Sequence, residues 1–424
     1  MITDDFRVIV VGGGPSGLIA AHSLHLANIP FVVLERRESI VEDVGASLVL
    51  AAPSLRIMHQ LGIFEDLMAI GAEIKINRTH GCGPVAFHRA ELVDLLYNRL
   101  PDAAKANIYT NTRLDSIETT GKGVKATCID GRVFNGSMII GADGVHSRTR
   151  RLMRELALQL NPHQNWDPEN PFRSTYRCMW ATFERNTEEP GQNCDTQHKD
   201  QSVMYITGRH RCWVFLYEKL PEPSTERTSY TEEDMAKFAQ RFSDFHITDQ
   251  SRLGDIWGNR LHAGMANSEE GIAKHWSWGR IVLVGDACHK YTPNAGLGLN
   301  NGIQDVVTLC NSLRQLLYTL APSKPSEADL GKIFREYQNC RQSGINSGAS
   351  RSASLTRQQA WATRWDYILA RHVMSSTFVQ HVVLDFVAPR MIRQEKVLDY
   401  VTGEEPLKGK VEWKHAIPFS VGKI

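Results

Sequence analysis

Two things are scarce in this chain: an excess of one charge and long apolar runs. Its 48 Lys and Arg against 47 Asp and Glu leave a formal net charge of +1, which argues against a nucleic-acid partner or an anionic membrane surface, since both select basic protein faces. No apolar run approaches the roughly 20 residues of a spanning helix. The nearest, Phe378 to Met391, is interrupted by Gln380, His381, Asp385 and Arg390. A secretory leader is not expected, because Met1 to Phe6 is short and acidic. The eight cysteines, at positions 82, 128, 178, 194, 212, 288, 310 and 340, show neither C-x-x-C nor His/Cys spacing suited to zinc. No metal is expected, and the thiols read as free and mostly buried in a reducing compartment. These absences predict a cytoplasmic globular protein, and 424 residues, 42% hydrophobic and 22% charged, suffice for two or three cores.

What is present organises itself around Arg7 to Glu35. Arg7-Val8-Ile9-Val10-Val11 reads as a buried strand, Gly12-Gly13-Gly14-Pro15-Ser16-Gly17 follows it, and an alanine- and leucine-rich helix runs to about Ala27. A second apolar strand, Phe31 to Leu34, ends in Glu35. This is a βαβ unit with G-x-G-x-x-G at its first turn, the pattern that holds a dinucleotide. Gly12 permits the tight turn, Gly14 lets backbone approach a pyrophosphate, and Gly17 lets helix pack on strand. The helix amino-terminus offers unpaired N–H groups and partial positive charge to phosphates. Glu35 can accept hydrogen bonds from ribose hydroxyls, and its carboxylate would repel a 2′-phosphate. FAD and NAD sites share this unit, so it does not name the dinucleotide.

Farther along, Gly45-Ala46-Ser47 either lets backbone lie against a flat ligand or makes an ordinary tight turn. Arg89, opening a helix after the Gly81-Cys82-Gly83-Pro84 turn, is either a cofactor contact or a solvated side chain. A hairpin is predicted from Val124–Ile129 and Val133-Phe134 about the Asp130-Gly131 turn, then a strand Met138-Ile139-Ile140 leading into Gly141-Ala142-Asp143-Gly144. Three strands, Arg173 to Glu184, Ser202 to Thr207 and Cys212 to Tyr217, suggest an antiparallel sheet. The chain then returns to the first unit with a buried strand Arg280 to Val284, Gly285-Asp286 at its carboxyl end, and Gly296-Leu297-Gly298-Leu299 opening a helix to about Tyr318. The expected class is α/β: a Rossmann-like domain (1–163 and 275–320), an inserted antiparallel-sheet substrate domain (164–274) and a helical C-terminal region (321–424), which would cover the site or form a subunit interface. His22 and His25 share one face of the first helix and read as surface side chains rather than metal ligands. Lys290 reads as a solvent or carboxylate partner. Trp276-Ser277-Trp278 is similar to the tryptophan motif of flavin-dependent halogenases but lacks the following Ile-Pro.

Gly12 to Gly17 with Glu35, Asp143-Gly144…Ser147…Arg150, and Gly285-Asp286-x-x-His289-x-x-x-Pro293-x-x-Gly296-x-Gly298-x-Asn300 resemble, in order and separation, the three fingerprints of the single-component FAD-dependent aromatic hydroxylases, whose fold is that of para-hydroxybenzoate hydroxylase. The resemblance covers roughly residues 6 to 320. His289 to Asn294 and Tyr176-Arg177-Cys178 are further similar to stretches of fungal monooxygenases and epoxidases acting on terpenoid and indole-alkaloid intermediates. Cys288 stands where the family usually has a small residue, and Gly302 where alanine is common.

The resemblance implies bound FAD, transient NADPH or NADH, and oxygen transfer from a flavin hydroperoxide to an aromatic, indole or prenylated secondary metabolite by hydroxylation or epoxidation. It implies a cofactor set of Gly12, Gly14, Ser16, Gly17, Glu35, Arg36, Gly45, Ala46, Arg89, Asp286, Pro293, Gly296, Gly298 and Leu299, with Asp143-Gly144 supporting FAD and the visit of the nicotinamide nucleotide. Arg177, with Tyr176, takes the catalytic or orienting role on the strand expected to face the flavin. Tyr205 and Tyr217, on the neighbouring strands, are either substrate-pocket residues or packed core aromatics. The expected partners are a small-molecule substrate and O2, in a monomer or homodimer. The alternatives are an FAD-dependent reductase or dehydrogenase that needs no oxygen, and a non-catalytic FAD-binding sensor.

Overall fold

The computed structural model describes residues 6–43, 45–74, 82–186, 188–374 and 376–419. Val8–Val11 is buried at all four positions and lies at the centre of a six-stranded sheet. It pairs in parallel with Phe31–Leu34 on one side and Met138–Gly141 on the other, and Met138–Gly141 pairs in turn with Ile281–Leu283. Continuous burial of these short β-branched runs is what a parallel sheet covered on both faces requires. One covering helix is Pro15–Leu26, with proline in its first turn and no acidic residue there. His22 on this helix is buried, its Nε2 2.8 Å from the carbonyl of Leu96, which corrects the expectation of a surface side chain. Every face of this helix from Gly17 to Leu24 is enclosed, so the sequence gives no polar stripe to mark an outside.

The second six-stranded sheet is antiparallel, in the order Asn193–His198, Gln201–Thr207, Arg211–Ser224, Arg173–Glu184, His262–Ile272 and His289–Lys290. Its last strand belongs to the third glycine-rich segment, so this sheet is joined edge-on to the cofactor-domain residues. Two of its strands, Asn193–His198 and His262–Ile272, are polar or rich in small residues and carry no apolar alternation. Both faces of the sheet are covered. Met179, Ala181, Val203, Tyr205, Val214 and Leu216 pack beneath Phe238 and Phe242, from the helix Glu232–Arg241 and the residue that ends it. Cys178, Met204, Ile206, Trp213, Phe215 and Tyr217 pack on the other side, against Ala46, Val49 and Ala86.

Leu297–Leu320 and the 33-residue helix Glu327–Gln359 complete the molecule's centre. The second opens with a capping box of Ser326 and Asp329, donates from the Tyr337 hydroxyl to the Leu283 carbonyl, and ends against the antiparallel sheet, where the Asp200 N–H donates to the Ala360 carbonyl over 2.7 Å. The last helix ends at Ile392, and the following strap returns to the helix Ala52–Gln60. Arg56 is fully buried there, paired with Glu405 and lying under the Trp413 ring. No helix of the described residues is long and apolar enough to cross a membrane.

Candidate active site

The first turn is closed by contact. Gly12 has φ +107°, and a β-carbon there would meet the Ala142 carbonyl oxygen at 2.6 Å, while one at Gly17 would lie 1.9 Å from the Gly12 oxygen. Gly14, by contrast, faces open space, with nothing within 4 Å of where its β-carbon would stand. Glu35 is buried and shapes the turn itself, accepting from the Gly13 N–H at 2.6 Å and from the Arg37 N–H at 2.9 Å. Each carboxylate oxygen keeps one accepting direction for a ribose.

Gly45 and Ala46 lie beside Arg89. The Arg89 N–H donates to the Ala46 carbonyl, and a β-carbon on Gly45 would meet the Arg89 side chain at 3.2 Å. Among the described residues the Arg89 guanidinium has no ion-pair partner. Its pKa is lowered by burial and by Arg37, with Asp286 acting in the opposite direction. A cation that is desolvated and unpaired stands ready for an anion, because leaving it so costs free energy that a phosphate would recover.

Asp286 carries the third segment into the same space. Its Oδ2 is paired with Lys290, which settles the partner of that lysine, and its Oδ1 lies 3.6 Å from where a Gly298 β-carbon would be. Gly296, φ +61°, turns the chain from Pro293–Ala295 into Leu297–Leu320, so the amino-terminus of a 24-residue helix, with Leu299 in its first turn, points into the site. Asn300 fixes that turn: its Oδ1 accepts from Ala51 N–H and the Ser54 hydroxyl, and its Nδ2 donates to the Val49 and Gly296 carbonyls. Ser16 packs on Gly285 and Gly302, and a β-carbon at Gly302 would stand 2.8 Å from the Ser16 Oγ. That contact explains glycine at 302.

The Asp143 segment ties the turns together. Asp143 accepts from the Ser147 hydroxyl and from the Thr149 N–H and hydroxyl, and Arg150 donates to the Ala287 and Val145 carbonyls. A buried chain that sequence reasoning missed lies behind it. His289 and Asp305 are 2.6 Å apart, the Gly285 N–H donates to Asp305, and Arg341 joins Asp305 to Glu395. Asp305 is held below the usual carboxylate range by His289 and Arg341, against the burial that pushes it up. Cys288 adjoins this chain, and burial raises its thiol far above the ordinary value.

Strand register assigns the substrate-side candidates. Tyr176, Cys178 and Trp180 alternate with Arg177 and Met179, and Tyr217 sits opposite Cys178. Tyr176 and Tyr217 therefore share the sheet face that packs on Ala46 and Val49, with burial pushing Tyr176 up to about 12. Arg177 is on the opposite face. It is paired with its cross-strand partner Glu218 and lies over the Phe238 ring, on the side away from Ala46 and Val49. Tyr205 also lies on the Phe238 side, packed in the core, its hydroxyl donating to Glu188 at 3.1 Å. At the far edge of the sheet a cleft of about 320 Å³ is lined by His146, Arg227, Tyr230, Asn267 and Glu269. Burial first, then the charges of Arg227, Arg150, Arg151 and Arg36, hold the His146 imidazole below its usual pKa.

A family model described as an FAD binding domain matches residues 5–324. The FAD-dependent monooxygenase ausM of Penicillium brasilianum is 30% identical over 414 residues, spanning 92% of this chain and 84% of that one. The FAD-dependent monooxygenase andE of Emericella variicolor is 28% identical over 454 residues, spanning 99% and 95%. Among solved structures, Klebsiella pneumoniae HpxO complexed with FAD and uric acid superposes with a TM-score of 0.70 at 18% identity, covering 90% of this chain and 96% of that one. A salicylate hydroxylase substrate complex gives 0.64 at 16% identity, covering 90% and 93%. At these identities the structural matches speak for the fold.

Proposed function

The chain belongs to the FAD-binding-domain family and is an FAD-dependent monooxygenase, and from that premise we propose that it uses NADPH or NADH and O2 to hydroxylate or epoxidise an aromatic, indole or prenylated secondary metabolite. The observation that carries the proposal is the convergence of the unpaired Arg89, the open Gly14 turn and the Gly296–Leu299 helix start beneath one apolar sheet face. The residues fit the cofactor. Gly12, Gly14, Ser16 and Gly17 would hold its pyrophosphate, Glu35 its adenosine ribose, Arg89 its phosphate charge, Asp286 its ribityl chain, and the backbone at Gly45-Ala46 and Gly296–Leu299 its ring.

When bound and reduced, the flavin supplies activation of O2 for transfer of one oxygen atom. The chain's own contribution is shape, exclusion of water and charge. Met204, Ile206, Trp213 and Phe215 form an apolar wall suited to a ring or isoprenoid skeleton, and they keep water from the reacting face. The amino-terminus of Leu297–Leu320 would favour negative charge on a ring held there. Arg36, Arg150, Arg151 and Arg227 around His146 supply a positive field for the phosphates of a visiting nicotinamide nucleotide. The test is NADPH oxidation by the purified yellow protein across phenols, indoles and prenylated indoles, with oxygen and peroxide followed together. Substrate-stimulated oxidation with oxygen uptake and little peroxide is expected. Turnover that proceeds equally well without oxygen would favour a reductase instead.

A further inference from the structure

Asp195 lies on the strand Asn193–His198, opposite Met204, in the cross-sheet row that continues through Phe215 and Trp180. It therefore shares the face that packs on Ala46 and Val49. Its side chain is exposed, yet desolvation pushes its carboxyl up to about 6. Exposure together with desolvation describes a group on the wall of a hollow, where protein surrounds a space that a small molecule can enter. The Gln359 side chain neighbours Asp195 and offsets part of that rise, and the Gln359 Oε1 accepts from Asn294 Nδ2 at 2.7 Å. Asn294 is in the Pro293–Ala295 turn that leads into the flavin-side helix, and Thr356 donates to its Oδ1. One amide thus ties the carboxylate to the segment that positions the cofactor ring.

A second observation points to a ligand on this face. The Ser202 hydroxyl, the Trp213 indole N–H and the Tyr217 hydroxyl are all buried and have no hydrogen-bonding partner among the described residues, apart from the Cys178 thiol beside Tyr217. Ser202 and Tyr217 pair across one row adjacent to that of Asp195, and Trp213 lies one row to the other side. Buried polar atoms are ordinarily satisfied, and unsatisfied ones in the rows on either side of Asp195 mark a surface that a polar group of a bound molecule completes.

Resting on the monooxygenase reading, we propose that Asp195 is the substrate-anchoring residue of the pocket, its carboxylate accepting a hydrogen bond from an O–H or N–H donor on an otherwise apolar substrate, with Gln359 positioning it relative to the cofactor turn. The apolar wall then holds the skeleton, and the anchor fixes which carbon faces the ring.

The experiment compares 2-naphthol with 2-methoxynaphthalene, in which a methyl group replaces the donor hydrogen, by flavin absorbance perturbation of the flavin-loaded protein, with 2-methylnaphthalene as the control for the added methyl. The wild type is expected to bind the naphthol about tenfold more tightly, as a charge-assisted hydrogen bond implies. Asp195→Leu is expected to bind both equally, with its flavin content unchanged. Should that variant fail to hold flavin, Asp195→Asn serves instead, with the preference expected to fall at least threefold. A preference unchanged in the variant, or absent from the wild type, overturns the anchor while leaving the monooxygenase reading intact. Binding of neither probe overturns the assignment of this hollow as the substrate site.

Discussion

Arg177 closes its guanidinium on the carboxylate of Glu218, the residue directly opposite it on the neighbouring strand, with Nε 2.8 Å from Oε2. The pair is on the Phe238 face of the antiparallel sheet, opposite the face that packs on Ala46 and Val49, and Arg241 and Gln201 share the Glu218 carboxylate. Arg177→Ala is therefore expected to cost stability, about 1 kcal/mol for a cross-strand ion pair that is partly exposed. Flavin content and substrate-linked NADPH oxidation should stay within about twofold of wild type, since both depend on the other face. Thermal unfolding and a turnover assay on one preparation check this, and product loss at full stability would return Arg177 to the site.

Arg89 carries the opposite expectation. Its charge is desolvated and lacks a partner among the described residues, so Arg89→Ala removes a favourable contact made only with the cofactor. The apoprotein should be no less stable, and FAD should bind at least tenfold more weakly, as loss of a charge-assisted hydrogen bond of about 1.5–3 kcal/mol implies. Titration of the apoprotein with FAD measures it directly.

Gly302 reports on helix packing rather than chemistry. In an open helix, alanine would gain about 1 kcal/mol over glycine. Here its β-carbon would press to 2.8 Å from the Ser16 Oγ, and the overpacking costs about 1–3 kcal/mol. Gly302→Ala should lower Tm and weaken FAD retention together, because Ser16 belongs to the dinucleotide turn. A higher Tm with full flavin would show that the two helices give way freely.

Asp195 links function to stability with a definite sign. Its pKa stands at about 6 in the folded protein, above the ordinary 3.8, so the folded state prefers the neutral form. The stability this provides is complete below the ordinary value and is lost as pH rises through about 6. Asp195→Asn is therefore expected to raise Tm at pH 8 and to raise it less at pH 5, while substrate affinity falls. Equal shifts at the two pH values would contradict a desolvated carboxyl.

The three glycine-rich segments were legible because each glycine answers to a local steric need that spacing alone displays: Gly12 and Gly296 at positive φ, Gly17 at close contact. What the sequence hid was the facing of the antiparallel sheet. Strand Arg173–Glu184 packs an apolar layer on both sides, so its residues carry no polar and apolar alternation to say whether Tyr176 or Arg177 meets the cofactor. Strand Asn193–His198 is polar and lies at the sheet edge, where nothing in Asn-Cys-Asp-Thr-Gln-His announces β-structure, and Asp195 went unseen with it. The Asp305–Arg341 pair was hidden for another reason. The two residues are far apart in sequence, on helices whose other positions gave no hint of a buried charge.

The central claim is coupled insertion of oxygen, and labelled oxygen tests it most directly. Turnover of the flavin-loaded protein with NADPH under 18O2, using whichever phenol, indole or prenylated indole stimulates NADPH oxidation, is predicted to give product carrying one labelled oxygen atom. Product that forms unlabelled, or at the same rate without oxygen, would contradict the account.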